Sequence, residues 1–297
     1  AFPNPEEPGA LDLASDLAVE SDADLIIAND PDTDRLAVSV ERPHGWQPLT
    51  GNQIGVLLGD YLLATTSVEK PLVLNSIVSS PMLAQVAEAH GAAFERTLTG
   101  FKWIWNAALD IEAAGEGTFV FGYEEALGYS VGPAVRDKDG ISAAVIFADL
   151  AAACQRRGES VLDYLARLYD QHGLWVSTQK SIVRPGSEGA AQIAAAMERI
   201  AASPPTEAAG IAVVGMTDYR FGAETRPRYM AATPLVELDL GASGRALVRP
   251  SGTEPKLKIY VDLVADRDPA LTAAQQETEL VAEADRVATA IAEQLGL

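Results

Sequence analysis

Asp30, Asp32 and Asp34 alternate with Pro31 and Thr33, directly after the apolar run Leu25-Ile26-Ile27-Ala28. Three carboxylates so close in the chain repel one another unless a cation lies between them. Their oxygens are hard ligands, which suits Mg²⁺ or Ca²⁺ rather than zinc. The calcium-loop pattern matches at the three aspartates, with Glu41 in its last position, but Arg35 stands where the sharp turn requires glycine. Leu36 to Val40 also reads as a strand and not as the exiting helix of such a loop. Arg35 suits a different ligand: a guanidinium next to a cation can hold a phosphate that bridges to the metal.

A second group is Arg249-Pro250-Ser251-Gly252-Thr253-Glu254-Pro255-Lys256, between two strand-like runs. Gly252 lets the backbone curl so that successive N–H groups face one point, a nest for an anion. Ser251 and Thr253 add hydroxyl donors, and Arg249, Lys256 and Lys258 add positive charge. A phosphate ester is the fitting ligand. The Walker and dinucleotide glycine patterns are both absent, so these residues do not describe a nucleotide site.

A third group, Gly122-Tyr123-Glu124-Glu125-Ala126-Leu127-Gly128-Tyr129, follows the apolar run Phe119 to Phe121 and reads as an acidic loop. Open α/β domains bind ligands at the rim of the sheet, and carboxylates there can accept hydrogen bonds from the vicinal hydroxyls of a sugar. The alternative is a solvated turn with exposed tyrosine. Thr97-Leu98-Thr99-Gly100-Phe101-Lys102 adds a lysine at another glycine turn. Arg136-Asp137-Lys138-Asp139-Gly140 precedes a helix, as a proton carrier, a substrate-orienting cluster or a charged cap.

The elements that position these groups follow from periodicity. A helix over Leu11 to Glu20 and strands at Asp24 to Ala28 and Leu36 to Val40 are too little to bury both faces of a sheet. Residues 1–45 therefore read as the tail end of an α/β domain whose first part is absent. After a turn at Pro43-His44-Gly45, Thr50 caps a helix to about Leu63. Strand Pro71 to Asn75, helix Pro81 to His90, strand Ala93 to Glu95, helix Lys102 to Ile111 and strand Phe119 to Phe121 follow. Helices Ile141 to Gln155 and Val161 to His172 complete a three-layer α/β domain over 46–173, its connections running helix to strand throughout. Residues 174–297 read as an α+β domain with a mainly antiparallel sheet: strands Val176 to Val183, Ile211 to Met216, Leu235 to Leu240, Ala246 to Val248 and Lys256 to Val264, with helices Ala190 to Ile200 and Ala270 to Leu295.

The 297 residues carry 42 acidic and 22 basic side chains, a net charge of −20, which argues against nucleic acid and anionic membranes as partners. One cysteine, Cys154, and three dispersed histidines exclude a disulfide framework and a Cys- or His-built metal centre. No apolar run is long enough to span a membrane, and the default expectation is a cytoplasmic enzyme.

Taken in order, Asp30-Pro31-Asp32-Thr33-Asp34-Arg35, Thr99-Gly100-Phe101-Lys102, Gly122-Tyr123-Glu124-Glu125, Arg136-Asp137-Lys138-Asp139-Gly140 and Arg249-Pro250-Ser251-Gly252-Thr253-Glu254-Pro255 resemble the α-D-phosphohexomutase family, the phosphoglucomutases and phosphomannomutases. The resemblance covers essentially the whole chain. It implies four domains around one cleft, with residues 1–45, 46–173 and 174–297 as the end of the second, the third and the fourth. It implies Mg²⁺ on Asp30, Asp32 and Asp34, and Arg35 and Lys102 as catalytic groups, Lys102 as proton donor or phosphate contact. It further implies sugar contacts from Glu124 and Glu125, Glu124 foremost, and phosphate contacts from Arg249, Ser251, Gly252, Thr253 and Lys256. The reaction implied moves a phosphoryl group between the 1- and 6-positions of a hexose phosphate through a hexose 1,6-bisphosphate. The family's phosphoserine lies in a Ser-His loop, and no Ser-His pair occurs in this chain. The nucleophile would come from missing N-terminal domains of the same polypeptide, leaving a fragment that binds small sugar phosphates without turning them over. Ala126 replaces the serine of the family's more familiar sugar loop and leaves glucose, mannose and pentose phosphates open. A phosphopentomutase and a non-catalytic sugar-phosphate-binding module are the alternatives.

Overall fold

The structure, a computed structural model, describes residues 4–42, 45–251 and 255–297. It divides into two compact units, Ala1–Leu168 and Tyr169–Leu297.

The first unit opens with helix α1 (Asp12–Glu20) and strands β1 (Ile26–Ala28), β2 (Ala37–Arg42) and β3 (Gly45–Pro48), an antiparallel sheet in the order β1-β2-β3. β2 is the apolar centre of this sheet, with Val38 and Val40 buried, whereas Leu13, Leu17 and Val19 of α1 are 84, 61 and 70% exposed. β3 was not apparent in the sequence, since Trp46 and Gln47 alternate only over a few residues. The expected turn at Pro43 and His44 lies outside the described residues.

Helix α2 (Gly51–Thr65) starts at Thr50, whose side chain accepts the Gln53 N–H while Gln53 returns the bond, a reciprocal cap of the kind that contributes about 1 kcal/mol. Then come β4 (Pro71–Ser76), α3 (Met82–Ala89), β5 (Ala93–Thr97), α4 (Phe101–Ala114), β6 (Thr118–Glu124), β7 (Gly128–Val131), α5 (Gly140–Arg157) and α6 (Val161–His172). The sheet runs β5-β4-β6-β7, parallel across the first three strands and antiparallel at β7. Here two expectations are corrected. The connections do not run helix to strand throughout, and Gly122–Tyr129 is not a free loop. β6 continues to Glu124 and returns as β7 in a hairpin, because Tyr123 and Tyr129 are fully buried and apolar surface extends the strand past the glycine.

α2 lies against this hairpin through Gly51, Gly55 and Gly59, spaced one turn apart. A Cβ at Gly55 would stand 2.6 Å from the Tyr123 ring, and one at Gly51 would stand 1.8 Å from the Glu125 carbonyl oxygen. On the opposite face, Phe119 meets Trp105 of α4 with ring centroids 4.2 Å apart. Phe119 and Phe121 would share a face in a regular strand. The pairing shifts between Leu72 and Val73, which passes over Val120 and turns Phe121 toward α2.

The second unit holds β8 (Leu174–Val183), α7 (Gly186–Ala202), the short ribbon β9 (Glu207–Ala208) and β10 (Ile211–Ala212), then β11 (Gly215–Asp218), β12 (Val236–Asp239), β13 (Gly244–Pro250), β14 (Lys256–Ala265) and α8 (Ala273–Gln294). β11-β12-β13-β14-β8 form one antiparallel sheet. The single strand expected over Ile211 to Met216 is two, since Val213 and Val214 break the run and β10 pairs with β9 instead. α8 packs on β8 and β14 through Leu280, Ala284, Val287, Ala288 and Ile291, the i, i+4, i+7 stripe of an amphipathic helix. The fold class is α/β: part of one α/β domain, a three-layer α/β domain and a C-terminal α+β domain with a mainly antiparallel sheet. Among the described residues no helix is long and apolar enough to cross a membrane.

Candidate active site

The aspartate loop joins β1 to β2, whose pairing ends at Ala28 and Ala37. A strand, not a helix, follows it. Thr33 adopts a left-handed φ of 60° and donates its N–H to the Asp30 carbonyl at 3.0 Å. This conformation is unfavourable for a β-branched residue, by about 1–3 kcal/mol, and is held by its surroundings. The turn brings Asp30, Asp32 and Asp34 together, with one oxygen of each within 4.8 Å of the others. Among the described residues this is the sole cluster of its kind. Three carboxylate oxygens at that spacing fit a small hard cation such as Mg²⁺. Asp30 is buried, and its Oδ1 accepts the Arg35 N–H at 3.0 Å, which orients the carboxylate.

The loop is built into the neighbouring sheet. Leu36 N–H donates to the Leu127 carbonyl at 3.0 Å, and Arg35 bridges Gly128, so the antiparallel edge of the β6–β7 hairpin continues into the aspartate loop. From the other side, Gly140 at the start of α5 donates to the Thr33 carbonyl at 3.1 Å. A Cβ at Gly140 would lie 2.2 Å from the Arg35 carbonyl oxygen, so only glycine allows this approach. Asp139 caps α5 by accepting from Ile141 and Ser142, which makes it a cap among the 136–139 residues. Lys138 reaches Asp34, Nζ to Oδ2 2.8 Å. Burial pulls its ammonium down, but the hydrogen bond and charge of Asp34, with Asp137 and Glu124, outweigh that and leave its pKa raised.

The two glutamates of the hairpin part company. Glu124, at the end of β6, accepts the Gly100 N–H through Oε1, which ties it to the start of α4. Glu125 turns inward: its Oε2 accepts from Ser76 and Ser79 at 3.2 and 3.3 Å, and Ser79 Oγ accepts the Glu125 N–H at 3.0 Å. Ser76 and Ser79 are buried at the carboxyl end of β4, the strand that lies between β5 and β6, on the rim where open α/β sheets bind ligands. Leu127, in the same turn, has a φ of 62° while 3% exposed. Lys102 sits exposed in the first turn of α4, its Nζ 5.0 Å from the Trp103 ring centroid. The sequence placed Lys138 in a charged cluster without giving it a partner, and it did not single out Ser76 or Ser79. The polar run Asn75 to Ser80 directly after an apolar strand was the available signal for the serines.

In the second unit, β13 and β14 present Arg249 opposite Lys258, with Ser251 N–H donating to the Lys256 carbonyl at 2.7 Å to close the base of the hairpin. Arg184 N–H donates to the Pro255 carbonyl at 2.9 Å, which fixes the hairpin to the end of β8. Arg249, Ser251 and Lys256 thus gather at one hairpin end. Gly252 and Thr253, also expected to hold phosphate, lie outside the described residues.

Three domain models of one family match the chain: phosphoglucomutase/phosphomannomutase α/β/α domain II over residues 1–45, α/β/α domain III over 50–172 and the C-terminal domain over 191–280. A probable phosphomannomutase of Haemophilus influenzae is 41% identical over 263 residues, 88% of this chain and 50% of the relative. A human phosphopentomutase is 34% identical over 283 residues, 89% of this chain and 46% of the relative. The chain therefore spans about half the length of the curated relatives it matches. Among solved structures, the Paramecium phosphoglucomutase parafusin in its open form superposes with a TM-score of 0.71 over 99% of this chain and 51% of that one, at 18% identity, a likeness of fold. With three successive domain models on the chain and the aspartate loop built into the sheet of the central domain, the chain belongs to the phosphoglucomutase/phosphomannomutase family.

Proposed function

We propose that this chain supplies the metal-, sugar- and phosphate-binding parts of a Mg²⁺-dependent phosphohexose mutase. The observation that supports this reading is the joining of the aspartate loop to the Glu124 hairpin through Leu36–Leu127 and Arg35–Gly128, which puts the carboxylates proposed to hold the cation and the one proposed to meet the sugar on one framework. Asp30, Asp32 and Asp34 would hold Mg²⁺, which when bound offsets charge on a phosphoryl group in transfer. Arg35 would contact that phosphoryl group as a bidentate donor. Glu124 would accept from sugar hydroxyls, while Glu125, held by Ser76 and Ser79, supports the turn. Arg249, Ser251, Gly252, Thr253 and Lys256 would grip the phosphate that is not reacting and so orient the sugar.

In the proposed reaction a phosphoserine outside these residues gives its phosphoryl group to a sugar hydroxyl. The serine O–P bond breaks and a sugar O–P bond forms, and the hydroxyl proton passes to a nearby base. The hexose 1,6-bisphosphate turns over, and its other phosphoryl group returns to the serine. Lys102 is the proposed proton donor or phosphate contact. The residues of this chain would bind the sugar phosphate.

Calorimetric titration with glucose 6-phosphate in Mg²⁺ buffer tests the reading. Saturable binding, lost in Arg249→Ala, is expected. No saturation at millimolar ligand in the wild type would count against the phosphate assignment. Ala126 supports a second reading, since a methyl side chain offers no hydrogen bond to a hexose hydroxyl at that turn. Ribose 5-phosphate binding at least as tightly as glucose 6-phosphate in the same titration would favour a pentose phosphate as substrate.

A further inference from the structure

We propose that Lys138 is a resident counter-cation of the aspartate loop, which a divalent ion must displace from Asp34 to gain the full set of carboxylates. The proposal rests on the reading of that loop as a cation site. Three carboxylates converge there, and two positive groups approach them. Arg35 belongs to the loop itself, its Nε 3.6 Å from Asp30 and 3.9 Å from Asp34. Lys138 comes from a distant part of the chain and makes the shorter contact, Nζ to Asp34 Oδ2 at 2.8 Å. An ammonium at hydrogen-bond distance from a ligand oxygen occupies space and charge that an incoming dication needs.

The backbone beside Lys138 cannot retreat. Two residues on, Gly140 donates to Thr33, and its main chain lies against the Arg35 carbonyl so closely that a Cβ has no room. Only the side chain can move, and its path is bounded. The Lys138 stem lies over Gly128, where a Cβ would stand 2.6 Å from Lys138 Cδ, and Nζ is 5.8 Å from the Phe101 ring centroid. Gly128 pairs with Glu124 across the hairpin. An ammonium leaving Asp34 along that path moves toward Glu124, the carboxylate proposed to meet the sugar. Lys138 is thus a positioning residue: cation binding at the loop changes the charge beside the sugar-binding carboxylate.

The test is a Mn²⁺ titration of the chain, followed by calorimetry or by the electron paramagnetic resonance signal of the free ion. Lys138→Met removes the competing charge and should bind Mn²⁺ about two- to fivefold more tightly, the scale of a partly exposed ion pair. Lys138→Gln, which keeps a polar end and guards against a folding defect in the methionine variant, should do the same. Lys138→Arg should retain the wild-type affinity. A residue that merely braces the loop would give the opposite sign, weaker binding on removal. Equal or weaker Mn²⁺ binding by Lys138→Met and Lys138→Gln, with saturable binding by the wild type, overturns the proposal and leaves the cation site standing. No Mn²⁺ binding by any of the proteins overturns both.

Discussion

Two adjacent glutamates with the same chemistry have different surroundings, and their variants should separate accordingly. Glu125 accepts from two buried serine hydroxyls, so Glu125→Ala leaves Ser76 and Ser79 without that acceptor. A loss of about 1–3 kcal/mol in urea unfolding is expected, the cost of an unmet buried hydrogen bond. Glu124→Gln keeps the size of the side chain and removes its charge. Its expected signature is weaker sugar-phosphate binding in calorimetry with a smaller change in stability than Glu125→Ala. The reverse ordering would reassign the sugar contact to Glu125. The sequence showed both carboxylates and their place after a strand. It did not show which one the serines of a distant segment would hold.

At the scale of elements, the approach of α2 to β6 rests on absent side chains. Gly55→Ala places a methyl group against the buried Tyr123 ring and should cost about 1–3 kcal/mol, read as a lower midpoint in urea at unchanged slope. In the second unit, Arg245 spans strands: its Nε meets Asp262 Oδ2 at 2.8 Å and its Nη1 meets Glu237 at 3.4 Å. Asp262 also accepts from Ser177 at 2.6 Å, so one network reaches from β12 to β8. Arg245→Met strands the buried Asp262 charge and should destabilise by about 3–5 kcal/mol in thermal or urea unfolding. Helix α6 supplies a pH test. The Ser160 backbone N–H and hydroxyl both donate to Asp163 and hold its carboxyl below the usual carboxylate range. A lowered pKa means that this contribution is present at neutral pH and fades as pH falls through the carboxylate range. Asp163→Asn should therefore lose a few tenths of a kcal/mol, roughly, at pH 7, and the gap to wild type should close in acid.

For the molecule as a whole, a net charge of −20 over 297 residues sets up self-repulsion in the compact state. Salt shortens the range of that repulsion, from about 30 Å at 0.01 M to about 8 Å at 0.15 M. The melting temperature should rise with sodium chloride over that interval, as measured by differential scanning calorimetry. A melting temperature that is flat or falls would mean that local ion pairs such as Arg245–Asp262 outweigh the net charge.

The sequence by itself determined the longer elements and the motifs. Thr50 marked a helix start, the apolar runs at Pro71 and Phe119 marked strands, and the aspartate alternation marked a crowded carboxylate loop suited to a cation, because caps, periodicity and like-charge crowding are local properties of the chain. Tertiary structure decided what those motifs meet. The hairpin beyond Phe121 forms because Tyr123 and Tyr129 find burial against α2, and the phase change at Val120 exists only in the pairing of β6 with β4. Lys138 reaches Asp34, and Glu125 turns to Ser79, across gaps of tens of residues in sequence. Side-chain spacing along a chain carries no information about such partners until packing has fixed which backbones lie side by side.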